Sequence, residues 1–298
     1  MRTVQWERMF PDELETAIEQ CPVVYFAYGL CEPHGPQNAV GLDALKAHAI
    51  CSQAAQEYGG IVAPPDYWHI HEIGLYASWA AENVGDARPW LTAVPPWIHF
   101  KNICYHLRAA DALGFQAAIL LTGHYGPNWQ DLKTLIDLVQ PFFAMQIYGL
   151  PDFEANQPGF DEDGQATGDH AGKVETSLLW AVEPDCVDVS RFPDEQDPGP
   201  HFAMGHNARE ANRTVGERMV QDEIKWLGQK AAELLQQYAD QDIGTRTPLT
   251  FMDIERIWSE QVQPKFKDFQ TMQYLERTPP PSGSQWQLNY QIPQTDIP

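Results

Sequence analysis

Short runs of consecutive apolar residues alternate with helical segments along most of this chain, and that alternation decides its fold class. Residues 23–28 read VVYFAY and residues 117–121 read AAILL, runs that are typical of strands buried on both faces. Residues 43–58 show helical periodicity and are followed by Gly59 and Gly60, which end helices. The pattern predicts an α/β fold with a mainly parallel sheet covered by helices on both faces.

The same reasoning assigns the remaining elements. We expect further strands at 61–63, 144–150 and 186–189, and further helices at 100–113, 131–143, 172–182 and 207–238. Residues 151–169 are acidic and rich in glycine, so we predict a loop there. In open sheets of this kind, ligands bind beyond the carboxyl ends of the strands. Functional residues should therefore stand directly after the apolar runs.

The character of the chain changes near residue 245. We expect residues 1–245 to form one domain and residues 246–298 to form a C-terminal extension, because its end is proline-rich and irregular. Two interpretations of this extension stay open. It is either a partly ordered terminus or an arm that packs on its own or a neighbouring subunit, which Trp286, Tyr290 and Ile292 favour.

The charge balance argues against two classes of partner. The 298 residues contain 19 Lys plus Arg and 41 Asp plus Glu, a formal net charge of −22. A field of this sign repels nucleic-acid phosphates and anionic membrane faces. No run of about 18 apolar residues occurs, so we expect no transmembrane helix. The N-terminal residues lack an apolar run of signal-peptide length, and the five cysteines are odd in number without a CxxC pair. We therefore expect reduced thiols in a cytoplasmic protein.

Glu32, His34 and Asp43 form the first candidate cluster. Glu32 and His34 follow the strand at 23–28, and residues two apart in extended backbone point the same way. Asp43 begins the next helix, where the helix dipole favours a negative group. Two carboxylates and an imidazole suit zinc, manganese or iron. Taken alone, the cluster fits equally well a helix-capping aspartate and a surface glutamate.

Two more clusters stand at corresponding places. His124 follows the strand at 117–121 within GHYGPN, where small residues let backbone and substrate approach closely. His170 precedes the helix at 172–182, and Glu175 lies within its first turns. Each of these two clusters also has an ordinary explanation. His124 could be a structural histidine at a strand end, and His170 with Glu175 could belong to the start of a capped amphipathic helix.

Taken together, the clusters resemble the signature of the creatininase-like amidohydrolases. YGLCEPHGPQNAVGLDAL resembles that family's Glu-x-His-Gly-Pro followed by Gly-x-Asp, GHYGPN resembles its Gly-His-Gly-Gly-Asn turn, and HAGKVETS resembles its His-Ala-Gly-x-x-Glu-Thr-Ser segment. The three blocks occur in the family's order, between about residues 23 and 238. The resemblance implies a three-layer αβα sandwich, a centre of two divalent metal ions and hydrolysis of a C–N bond in a small amide, often a cyclic one.

The resemblance also implies roles for individual residues. Asp43 would bridge two metal ions, zinc with manganese or iron as alternatives, and a metal-bound water would be the nucleophile. His170 would carry a proton to the departing nitrogen, and Glu175 would serve catalysis as well as metal binding. The family forms ring-like homo-oligomers, which favours a hexamer. The remaining implied ligands are Glu32, His34, His124 and Glu175, and the implied substrate contacts are Tyr125, Gly126 and Asn128.

Two departures from the family pattern bear on the substrate. Creatininase itself has a glutamate two residues after the histidine of the second block, where this chain has Gly126, so creatinine is disfavoured as its substrate. Residues 66–96 form a longer loop than usual, rich in tryptophan and histidine. This insertion is either a lid or substrate wall, with Trp68 and His71 as contacts, or a segment packed on the subunit surface.

Three functions stay open on the sequence alone. The first is an amidohydrolase acting on a small amide. The second is a small-peptide peptidase or a deformylase that uses the same dinuclear centre. The third is a non-catalytic metal-binding or assembly protein that retains the fold.

Overall fold

Four parallel strands form the central sheet of the computed structural model, which describes residues 3–85, 91–156, 169–243, 247–273 and 277–287. The strands in chain order are β1 (Val23–Tyr28), β2 (Ile61–Val62), β3 (His69–Ile70), β4 (Ala93–Val94), β5 (Ala117–Thr122) and β6 (Gln146–Pro151). The sheet has the order β2-β1-β5-β6, and β3 pairs separately with β4. Strands β1 and β5 are buried along their whole length, which explains why β1 has only apolar and aromatic residues and β5 has only apolar residues before Thr122.

Helices cover both faces of this sheet. They are α1 (Pro11–Gln20), α2 (Leu42–Tyr58), α3 (Leu75–Asn83), α4 (Pro96–Leu113), α5 (Asn128–Val139), α6 (Lys173–Val182), α7 (Arg213–Ala239), α8 (Phe251–Ile257) and α9 (Gln263–Phe266). Alternate residues of β1 point to opposite faces, so Val24 and Phe26 pack with α4 and α5 while Val23 and Tyr25 pack with α2 and α7. The predicted three-layer αβα sandwich is confirmed.

The insertion at residues 66–96 folds over the carboxyl edge of the sheet. Strands β3 and β4 pair in parallel, His69 with Ala93 and Ile70 with Val94, and α3 lies between them in the chain. The insertion is joined to the main sheet by Gly29, whose backbone nitrogen donates to Asp66 O at 3.1 Å. This placement brings α3 above the strand ends where ligands bind in such sheets.

The segment after residue 250 contributes to the main core. A π-helical turn, Trp258–Val262, separates α8 from α9. Seven apolar residues of the segment after residue 250 are buried in the cluster that contains Phe26 and Leu120, namely Ile254, Ile257, Trp258, Val262, Phe266, Phe269 and Met272. The segment thus packs on its own subunit, as one interpretation expected. Trp286 is buried too, whereas Tyr290 and Ile292 lie outside the described residues, and the boundary at residue 245 stays a prediction.

One predicted strand is wrong, and one helix is shorter than predicted. Residues 186–189 form no strand: Cys186 ends one 3-10 turn, Pro184–Cys186, Val189 begins another, Val189–Arg191, and Val187 makes an isolated bridge with Asn38. The reason is local, because Pro184 starts the first turn and the Asp188 carboxylate accepts from Ser190 N at 3.0 Å. The helix expected at 207–238 begins at Arg213, where the Asn212 side chain caps it by accepting from Val215 N.

Three further sequence predictions concern the loop at 151–169, the cysteines and the absence of a transmembrane helix. Within the predicted loop at 151–169, residues 152–155 form a 3-10 turn, and residues 157–168 lie outside the described part. The five cysteines are free thiols; burial raises the pKa of Cys104 to about 12, which makes that thiol unreactive. In the described residues no helix combines the length and apolar character that crossing a membrane would require.

Candidate metal centre

Five side chains from four places in the chain meet at the carboxyl edge of the sheet. Glu32 and His34 follow β1, Asp43 lies in the first turn of α2, His124 follows β5, and Glu175 lies in the first turn of α6. None of the five is more than 3% exposed. The structure therefore brings together all the residues predicted as metal ligands, and their role as ligands stays a prediction.

Close backbone packing positions Asp43 within this group. Gly123, directly after β5, lies so near α2 that a Cβ at this position would stand 2.2 Å from Asp43 O. No side chain fits in that space, so glycine is required for the first turn of α2 to rest on the end of β5. This contact places the Asp43 carboxylate next to His124, the residue after Gly123.

The Asp43 carboxylate lies between the two imidazoles. Its Oδ1 is 3.0 Å from His34 Nε2, and its Oδ2 is 3.2 Å from His124 Nδ1. Glu32 Oε1 is 2.9 Å from His124 Nδ1, and Glu175 Oε2 is 3.7 Å from His34 Nε2. Two groups of three residues share Asp43, and a third group joins Glu32, His34 and His170; in each group the candidate ligand atoms lie within 4.8 Å of one another.

Hydrogen bonds to the backbone decide which imidazole nitrogen faces the cluster. His34 Nδ1 donates to Glu32 O at 3.1 Å, and His124 Nε2 donates to Ile70 O at 3.1 Å. The other nitrogen of each ring faces the carboxylates, and it offers a lone pair to a metal ion once its proton is displaced. Among the described residues, five buried atoms of the cluster face only one another and have no hydrogen-bond partner outside it: His34 Nε2, His124 Nδ1, Glu32 Oε1 and both carboxylate oxygens of Asp43. Buried polar atoms are normally bonded, so this donor set fits divalent metal ions such as zinc or manganese.

The electrostatics of the cluster favour a cation. Burial lowers the pKa of both histidines, but the carboxylates outweigh it: Asp43 foremost raises the pKa of His34 to about 9, and Glu32 foremost raises the pKa of His124 to about 10. Burial likewise raises the pKa of Glu32 and Asp43, but the imidazoles outweigh it and lower both. The carboxylates are therefore ionised, and their negative potential is concentrated where the imidazoles point.

Lys46 is a buried cation beside the cluster that sequence analysis missed. Its Nζ lies 2.6 Å from Glu175 Oε1 and 2.9 Å from Asp152 Oδ2, and it donates to Tyr125 Oη at 3.0 Å. Burial lowers the pKa of Lys46, but Asp152 and Glu175 outweigh it and raise that pKa, so the ammonium stays charged. The available signal was the position of Lys46 three residues after Asp43, on the same face of α2.

Glu175 is held at both carboxylate oxygens. Oε1 is paired with Lys46, and Oε2 accepts from Ala171 N at 2.7 Å while it faces His34. The backbone nitrogen of Glu175 donates to Asp169 Oδ1 at 3.1 Å. These contacts fix the rotamer of Glu175, so its Oε2 is already aimed at the cluster.

A cavity of about 160 Å³ lies beside the cluster. Four residues predicted to contact substrate or to take part in catalysis line it, namely His71, Tyr125, Gly126 and His170. Leu75, Tyr76 and Trp79 of α3 form a further part of its wall. The insertion is therefore part of the wall of this cavity, and its role as a substrate wall stays a prediction. Trp90 of the insertion lies outside the described residues.

His71 also contacts a proposed ligand. Its Nδ1 accepts from Glu72 N at 2.8 Å, so in the neutral ring the proton lies on Nε2. Nε2 faces Glu32 Oε2 at 3.3 Å, while Oε1 of the same carboxylate faces His124. His71 thus orients the Glu32 carboxylate, a function that sequence analysis did not assign to it.

Two predicted substrate contacts are placed elsewhere. Trp68 is 55% exposed, because Asp66 Oδ1 accepts from Trp68 N in a tight turn that leaves the ring outside the cavity. Asn128 is buried, and its Nδ2 lies 2.8 Å from Tyr76 Oη and 3.1 Å from His124 O. Its amide therefore stabilises the turn that presents His124.

Tyr76 occupies the space next to Gly126. Gly126 has a φ of +98°, and a Cβ there would lie 2.7 Å from Tyr76 Oη. The insertion thus fills with a tyrosine ring the volume that any side chain at position 126 would need.

We expect Gly126→Ala to lower the free energy of unfolding by about 3 kcal/mol, because a strained backbone and an overpacked contact each cost roughly 1–3 kcal/mol. Urea denaturation measures the loss. Gly114→Ala is the matched control, since Gly114 has a φ of +89° with no atom within 4 Å of the added Cβ, and it should lose only about 1 kcal/mol. Equal losses of unfolding free energy in the two variants would show that the Tyr76 side chain moves aside without a measurable cost.

Comparisons with known proteins agree with this site and fold. The family model described as creatinine amidohydrolase matches residues 7–241. A creatinine amidohydrolase of Pseudomonas putida is 25% identical over 241 residues, which covers 70% of this chain and 88% of that protein. A solved creatininase glutamate-to-glutamine mutant of Zn–Zn type has a TM-score of 0.62 at 21% identity, covering 78% of this chain and 98% of its own. A solved Mn creatininase has a TM-score of 0.61 at 21% identity, with the same coverage. At these identities the two structures support the fold alone.

The family match, the αβα fold and the buried carboxylate–imidazole cluster place this protein among the amidohydrolases, the enzymes that hydrolyse C–N bonds other than peptide bonds. Within that class, the chain belongs to the creatinine amidohydrolase, or creatininase, family. The family expected from the three sequence blocks is thereby confirmed.

Proposed function

We propose that this protein hydrolyses the C–N bond of a small cyclic amide at a centre of two divalent metal ions. The observation that carries this proposal is the pair of three-residue groups that share Asp43. One ion would be held by His34, Asp43 and Glu175, and the other by Glu32, Asp43 and His124. Because the two oxygens of Asp43 face different imidazoles, its carboxylate is suited to bridge the ions.

Two divalent ions at this centre would lower the pKa of a bound water and polarise the substrate carbonyl. Zinc is the first candidate and manganese or iron the alternatives, because imidazole and carboxylate ligands suit all three. The protein contributes preorganisation, since contacts from His71 and Lys46 already orient the Glu32 and Glu175 carboxylates.

His170 is suited to move the proton. Its Nε2 donates to Pro33 O at 2.9 Å, which leaves a lone pair on Nδ1 of the neutral ring. Burial foremost, and then His34, lowers the pKa of His170, so the ring is a proton acceptor at neutral pH. In the proposed reaction His170 takes a proton from the attacking water and gives it to the departing nitrogen.

The cavity wall supports a small substrate. Trp79 packs edge-on against His170 with ring centroids 4.6 Å apart, so the aromatic wall stands directly beside the proposed proton carrier. Tyr125 and Gly126 line the same cavity, and their backbone would contact the substrate. A volume of about 160 Å³ accommodates a small ring.

Metal content and a substrate screen test the proposal together. We expect elemental analysis to find close to two transition-metal ions per chain, and we expect the metal-loaded protein to hydrolyse members of a panel of lactams and cyclic ureides. Hydrolysis confined to N-formyl compounds would indicate a deformylase on the same centre. If the purified protein binds no metal and gains no hydrolysis with zinc or manganese, the proposal fails and a non-catalytic protein is left. The hexameric assembly and cytoplasmic location expected from the sequence stay predictions.

A further inference from the structure

Arg277 brings a positive charge to the cavity from a part of the chain that the family match does not include. It lines the same cavity as Glu32 and His124, although the match ends at residue 241. Among the cavity-lining residues of the described ranges, Arg277 is the one lysine or arginine. Because Arg277 lies outside the residues that match the family, it can give this protein a substrate preference that differs from that of other family members.

The Arg277 guanidinium is available for exchange with a ligand. Its Nη1 is 2.8 Å from Glu82 Oε2, and the two side chains are 40% and 54% exposed, so this ion pair lies at the solvent side of the cavity. Ion pairs at this level of exposure contribute little to stability. A carboxylate can therefore replace Glu82 at low cost, and the planar guanidinium binds carboxylates through two parallel hydrogen bonds.

The segment that carries Arg277 is anchored to α3, the helix that also carries Glu82. Trp286 packs in a buried cluster with Ala80 and Val84, and its Nε1 donates to Gly85 O at 2.7 Å. Glu82 lies between these contacts, near the end of α3. Because both partners are attached to α3, the guanidinium is held beside the cavity that α3 borders.

We propose that the cavity prefers amides bearing a carboxylate that is not part of the scissile amide group, and that Arg277 binds this carboxylate in exchange for Glu82. The inference rests on the proposed amidohydrolase function and specifies its substrate class. The charge of the centre permits an anion, since two divalent ions carry four positive charges against the three negative charges of Glu32, Asp43 and Glu175.

Matched pairs of amides test this preference in the metal-loaded, full-length protein. Each neutral amide of the screen is compared with its carboxylated analogue, beginning with 2-pyrrolidinone against 5-oxoproline and hydantoin against hydantoin-5-acetic acid. We expect kcat/KM to be at least about tenfold higher for the carboxylated member. Arg277→Gln should remove most of this ratio through a higher KM, whereas Glu82→Gln should lower the KM of the carboxylated member.

Arg213→Gln is the matched control, because Arg213 forms a similarly exposed pair with Glu217, 49% against 51%, on α7. This variant should leave the ratio unchanged. Equal kcat/KM values for the two members, or a preference that persists in Arg277→Gln, would overturn the inference while the proposed hydrolysis stands. If neither member of any pair is hydrolysed, the proposed function fails and this inference fails with it.

Discussion

Asp43→Asn is expected to remove both metal ions and to lower the rate of amide hydrolysis by at least about a thousandfold. The two oxygens of Asp43 face different histidines, at 3.0 and 3.2 Å, so this one carboxylate completes both candidate groups. The amide of asparagine has one acceptor oxygen and no charge, and it cannot bridge two cations. Metal stabilisation of developing charge supplies several kcal/mol, and each 1.36 kcal/mol is a factor of ten in rate.

Elemental analysis and initial rates of the folded variant measure this effect. Asp66→Asn is the control, because the hydrogen bond that Asp66 Oδ1 accepts from Trp68 N, at 2.9 Å, can be kept by the asparagine oxygen. It should retain close to two ions per chain. An Asp43→Asn protein that still holds two ions would show that Asp43 does not bridge them, whatever happens to the rate.

Lys46→Met should lower the free energy of unfolding by about 3–5 kcal/mol, which is the usual cost of removing one partner from a buried ion pair. Methionine has nearly the same length but no charge, so Glu175 and Asp152 would lose the ammonium that lies 2.6 and 2.9 Å from them. Lys46 is fully buried, and water cannot replace it without opening the packing of α2. Urea denaturation of the metal-free protein measures the loss without a contribution from bound ions.

Two further variants test whether stranded charge is the cause. Lys173→Met removes a lysine from an exposed pair with Glu210, 50% against 66% exposed, and should cost no more than about 1 kcal/mol. Adding Asp152→Asn to Lys46→Met removes one of the uncompensated carboxylates and should restore part of the stability. A Lys46→Met protein as stable as Lys173→Met would contradict the role given to Lys46.

Most of the secondary structure could be predicted because its causes are local. Strand β1 has the predicted bounds, Val23–Tyr28, and α2 begins one residue before the expected position. An apolar run of this length records burial on both faces, and paired glycines end the following helix regardless of what packs around it. The predicted strand at 186–189 was wrong for the opposite reason, because turn contacts of Pro184 and Asp188 outweigh a short apolar preference.

The convergence of the five candidate ligands could be predicted from the sequence, but the residues that hold them in place could not. Glu32, His34 and His124 stand directly after strands, so a parallel sheet brings them to one edge. Lys46 and Arg277 follow no such rule, and each is recognisable only by what lies across from it. Trp68 is a similar case. The sequence predicted that it contacts substrate, but the turn formed with Asp66 directs its ring away from the cavity.

The amino-acid sequence by itself determined the αβα fold class, the family and the five residues that could hold metal, since each is encoded in short segments whose order and spacing are enough. Only the tertiary structure decided that Asp43 lies between two imidazoles, that the insertion and the C-terminal segment border the cavity, and that Lys46 neutralises buried acids. These features depend on distances between residues far apart in the chain, such as the 129 positions that separate Lys46 from Glu175. Such distances are set by the packing of helices on the sheet, and no local pattern records them.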